Sequence, residues 1–77
     1  PNPAGNKAFI ELPINTSPND IELHICNIYG QLMSAPYSAN GQRFEMETSG
    51  LLKGVYFFEL TLKNQAQTFA SGKFMVE

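Results

Sequence analysis

With 77 residues, a net charge of −2 and only five lysines and arginines, the chain has room for one domain and lacks the clustered cations that neutralise nucleic-acid phosphates. A single cysteine, Cys26, excludes an internal disulfide, and a single histidine, His24, leaves any His/Cys metal site short of ligands. No apolar run approaches the ~18 residues of a membrane helix; Val55-Tyr56-Phe57-Phe58 is the densest. A chain of this size buries only about 60% of the surface it exposes when unfolded, so its fold rests on an apolar core or on a partner. It carries no signal-peptide pattern and opens on Pro1, which marks it as a processed product or a piece of something larger.

Two-residue alternation dominates throughout, and helical periodicity is hard to find. After the turn-rich lead-in from Pro1 to Asn6, Ala8, Ile10 and Leu12 alternate with Phe9 and Glu11 in a first strand that Pro13 ends. Asn15 to Asp20 is a loop by composition. Ile21, Leu23 and Ile25 alternate with Glu22, His24 and Cys26 in a half-buried strand. Asn27 to Gly30 then turns the chain, Gly30 supplying a positive φ, and Gln31 to Ser34 returns as the hairpin partner until Pro36 stops it. Asn40-Gly41 is the strongest turn signal. Arg43 to Thr48 follows with Phe44 and Met46 on one face, and Ser49 to Gly54 forms a corner. From Val55 to Lys63, Tyr56, Phe58, Leu60 and Leu62 share one face. Asn64-Gln65 turns the chain into a last strand, Gln67 to Val76, with a bend expected at Gly72. The expected architecture is all-β: a small antiparallel, immunoglobulin-like sandwich of about seven short strands, with residues 1–77 as its single domain.

The residues available for catalysis are few. His24 and Cys26 share a strand face, as a nucleophilic pair would, but nothing electropositive stands near to activate the thiol, so Cys26 reads as compact apolar filler. Glu45, Glu47 and Glu59 fall at outward strand positions and read as a solvated face rather than an acid–base pair. Phe57, Phe69 and Tyr37 offer the material for a flat sugar platform, but read more readily as ordinary packing. Gly30, Gly50, Gly54 and Gly72 are spaced like turn and bulge glycines, not like a phosphate cradle. No catalytic, metal or cofactor residue is assigned, and the chain does not read as an enzyme.

Four stretches in order carry a stronger signal: Pro1-Asn2-Pro3-Ala4, Leu23 to Met33 with Asn27 and Gly30-Gln31-Leu32, Leu51-Leu52-Lys53-Gly54-Val55-Tyr56-Phe57, and Lys73-Phe74-Met75-Val76. Together they resemble the C-terminal sorting domain of the type IX (Por) secretion system, type A, over essentially the whole chain. Cys26 stands where that family often has an aromatic. The resemblance implies that Pro1, Asn2, Pro3, Gly30, Leu51, Gly54 and Tyr56 form the fold, the prolines holding the lead-in extended and the Tyr56 hydroxyl bonding back to the corner. It further implies an address label on a fused N-terminal cargo that passes through the periplasm to the cell surface or medium. The partners it implies are the outer-membrane machinery and a sortase-like surface peptidase that removes the label.

The last strand has its own expectation. As an edge it would offer unpaired backbone groups to a receptor, and Lys73, Phe74, Met75, Val76 and Glu77 form the candidate recognition strand: Lys73, Met75 and Glu77 are the stronger candidates for contact, whereas Phe74 and Val76 read more readily as core. The same edge invites self-pairing into a dimer. The competing expectations are an immunoglobulin-like accessory module that binds carbohydrate or a surface protein, and a passive stalk.

Overall fold

A computed structural model describes residues 7–65 and 67–77. The lead-in residues Pro1, Asn2 and Pro3 lie outside the described residues. Seven strands follow in chain order: β1 (Lys7–Glu11), β2 (Ile21–Cys26), β3 (Leu32–Met33), β4 (Tyr37–Ala39), β5 (Arg43–Glu47), β6 (Gly54–Leu62) and β7 (Thr68–Val76). They form a three-stranded sheet, ordered β1-β5-β4, and a four-stranded sheet, ordered β3-β2-β6-β7. Every pairing is antiparallel. The only helical turn among the described residues is a 3-10 turn at Pro18–Asp20.

Alternation decides the layers. Ile21, Leu23 and Ile25 from β2 and Tyr56 and Leu60 from β6 face Ile10 of β1 and Phe44 and Met46 of β5 across the interior. Ile21, Met46 and Leu60 are the largest fully buried side chains. The connectivity is that of an immunoglobulin sandwich counted from its second strand: β1, β5 and β4 stand as B, E and D, and β2, β6 and β7 as C, F and G. The expected all-β sandwich is therefore what the chain forms.

Three details differ from the sequence expectation. The return strand expected over Gln31 to Ser34 shrinks to Leu32–Met33, because the chain then crosses to the other sheet through Ala35 and Pro36. It becomes β4 there, a three-residue strand that the Asn40-Gly41 turn joins to β5. The bend expected at Gly72 is absent. Gly72 pairs in regular register with Phe58, and the irregularity lies between Leu60 and Thr61 instead. Gly72 is a glycine for reasons of space: a Cβ there would lie 2.7 Å from two carbons of the Phe58 ring.

Candidate functional site

The corner before β6 sets the geometry of one end of the sandwich. Leu51 is buried, Gly54 takes φ 149°, which side chains disfavour, and the Tyr56 hydroxyl donates a 2.6 Å hydrogen bond to the Leu52 carbonyl. This is the tyrosine-corner arrangement near the start of the F strand. Tyr56→Phe removes that bond and leaves the ring in place, so the expected loss is about 1 kcal/mol. In a domain of this size that lowers Tm by about 4–8 °C in a thermal melt.

The β2–β3 hairpin is held by Asn27. Its side-chain Oδ1 accepts from the backbone N–H groups of Tyr29 (2.9 Å) and Gln31 (3.0 Å), and its Nδ2 donates to Gln31 Oε1 at 2.8 Å. Gly30, at φ 80°, donates its N–H to the Asn27 carbonyl. The sequence places a turn here and marks Asn27 and Gly30, but it assigns a conformational role to Gly30 only. The signal for Asn27 was its type, since Asn side chains close turns onto the backbone two residues on. The result is a fixed tip whose Ile28 and Tyr29 side chains point into solvent, 61% and 81% exposed.

Among the described residues β7 is an edge strand, hydrogen-bonded to β6 alone. Its two faces differ. Phe74 is half-buried and stacks on Tyr56 with ring centroids 5.6 Å apart, and Val76 is buried. Lys73 and Glu77 are exposed, and so is Met75, at 63%. Register places Leu32, Cys26, Phe57 and Lys73 in one row across the four strands, with Val55 and Met75 two residues away on the same outer face. Shallow hollows lie along this part of β7. One, of about 450 Å³, is lined by Lys53, Gly54, Val55, Met75, Val76 and Glu77. Another, of about 400 Å³, lies among Cys26, Phe57, Glu59, Ser71 and Lys73.

The other candidate groups are dispersed. His24 faces solvent with Nε2 3.4 Å from the Glu22 carboxylate and 3.3 Å from the Thr61 hydroxyl. Glu45 and Glu47 stand on β5 and Glu59 on β6, so the three carboxylates are split between the two sheets. Glu45 accepts from Lys7 at 2.6 Å and from Asn40 at 3.1 Å, and those hydrogen bonds hold its carboxyl below the usual range. The same bond to Glu45 raises Lys7. The aromatics Tyr37, Phe57 and Phe69 do not share a surface. Tyr37 belongs to the three-stranded sheet, packs edge-on against Phe44 at 5.0 Å and accepts a hydrogen bond from the Leu23 N–H at 3.3 Å.

No curated protein and no solved structure matches the chain. The sequence profile of the secretion system C-terminal sorting domain matches residues 1–77, its whole length. The corner, the Asn27 turn and the last strand are therefore the parts of a known kind of label: the chain belongs to the C-terminal sorting domains of the type IX secretion system, which mark a protein for export to the cell surface or beyond.

Proposed function

We propose that residues 1–77 form one label domain fused behind an N-terminal cargo, and that the outer-membrane machinery reads it as a folded object along β7. The observation that carries this reading is the split character of β7. One face of the strand locks into the core through Phe74 and Val76, while Lys73, Met75, Glu77 and a backbone edge with no second neighbour among the described residues stay available. A receptor strand laid against that edge gains main-chain hydrogen bonds, and the alternating side chains supply selectivity. Such a mode suits a label that must serve whatever cargo precedes it. The same edge would pair two copies at high concentration.

The label acts without catalysis in this reading, which the dispersal of His24 and the carboxylates supports. The cargo crosses the periplasm first, and a sortase-like surface peptidase then removes the label. The test fuses residues 1–77 behind a fluorescent protein with a periplasmic signal, in a bacterium that has the type IX machinery. The expected result is surface or extracellular fluorescence, on a cargo shortened by the mass of the label, and periplasmic fluorescence when residues 1–77 are left out. Equal distribution of the two fusions would overturn the proposal.

A further inference from the structure

The two outer faces of the sandwich are unlike. On the three-stranded sheet the charges answer one another: Lys7 pairs with Glu45 at 2.6 Å, and Arg43 lies 4.2 Å over the Phe9 ring with Glu11 3.9 Å away. On the four-stranded sheet, exposed apolar side chains gather at the end holding the Asn27 turn and the corner. They are Ile28, Tyr29, Leu32, Leu52, Phe57 and Met75, of which Leu52 is 84% exposed. Monomers rarely expose so many large apolar groups together unless something covers them. The cations beside them, Lys53 and Lys73, make no ion pair among the described residues.

From this contrast we infer that the label is read over the apolar end of its four-stranded face as well as along the β7 edge, by an apolar protein segment that brings a carboxylate to Lys73. The inference rests on the sorting role and on strand addition at β7. A strand added there continues the pleat, so its outward side chains lie beside Met75 and Lys73 and extend the same face. An apolar residue beside Met75 and an acidic one beside Lys73 complement what the label exposes. Phe57, Leu32 and the tip residues Ile28 and Tyr29 then receive the partner's surface beyond the added strand. Charge complementarity sets which partner docks and how fast, while the apolar contact holds it.

The test uses the fluorescent fusion with single substitutions, each confirmed folded by circular dichroism. Met75→Gln, Phe57→Gln and Lys73→Glu are expected to lower surface delivery at least tenfold, while Lys73→Arg and the opposite-face control Phe9→Gln stay at the parent level. Delivery of all five at the parent level would overturn the inference and leave the sorting role standing. A parent fusion that itself remains in the periplasm would overturn both. Sedimentation of the unfused domain with phosphatidylethanolamine–phosphatidylglycerol vesicles, lost in Met75→Gln, would assign the face to lipid and also overturn a protein partner.

Discussion

Leu60→Ala is expected to remove a large share of the label's stability. Leu60 is 1% exposed, sits in the second half of β6 and packs in the core shared by both sheets. Truncating a fully buried leucine costs about 2–5 kcal/mol, the lost transfer energy plus the cavity left behind. A 77-residue domain has a total stability of about 4–12 kcal/mol, so one such loss removes a large share of it. Urea unfolding followed by circular dichroism checks this. The midpoint should fall steeply with little change in slope, because the surface exposed on unfolding is nearly the same. A midpoint within experimental error of the parent would mean that the two sheets do not depend on each other through Leu60.

Removing Lys73 to Glu77 is expected to unfold the domain rather than to trim a recognition tail. The segment holds Val76, buried at 9% exposure, and Phe74, which stacks on Tyr56. Burying one such side chain fully is worth about 1.5–3 kcal/mol, so together they contribute about 3–5 kcal/mol after allowing for the partial exposure of Phe74. The deletion also strips β6 of the neighbour that pairs with it from Gly54 to Phe57. The β-sheet signal in circular dichroism should therefore be lost, along with the cooperative melt. A shortened domain that still melts cooperatively at the parent temperature would show that β7 contributes little to the fold. This is why the recognition tests substitute exposed side chains and keep the strand.

Much of the fold was legible in the sequence because alternation and burial agree in the long strands. Tyr56, Phe58, Leu60 and Leu62 were placed on one face of β6 by spacing alone, and that face is the one packed inward. The bond from Tyr56 to the corner was legible through the family resemblance, which implied a tyrosine-corner hydroxyl bonding back to the chain before β6. The short strands were not. Leu32–Met33 and Tyr37–Ala39 are too brief to show a period, and their pairing is fixed by the crossing between sheets. Gly72 misled for a related reason: a glycine in a strand signals either a bend or a close approach, and only the ring of Phe58 distinguishes the two. On the four-stranded face, the inward and outward residues of β7 followed from alternation, but the placing of Tyr29, Leu32, Leu52, Phe57 and Met75 toward one end of the sheet did not. Those residues are far apart in the chain, and strand order alone brings them to one end.

On the proposed reading the machinery recognises a folded shape, built by residues such as Tyr56, Leu51 and Gly54 that need not touch it. The most direct measurement is the surface delivery of the fluorescent fusion for a graded set of core variants, Tyr56→Phe and Leu60→Ala among them. Each is compared with its own folded fraction at the same temperature. Delivery is expected to fall in step with the folded fraction, Leu60→Ala lowest, although β7 keeps its sequence in every variant. Full delivery of Leu60→Ala at a temperature where it is largely unfolded would contradict that reading and show that the machinery reads the last strand as a linear peptide.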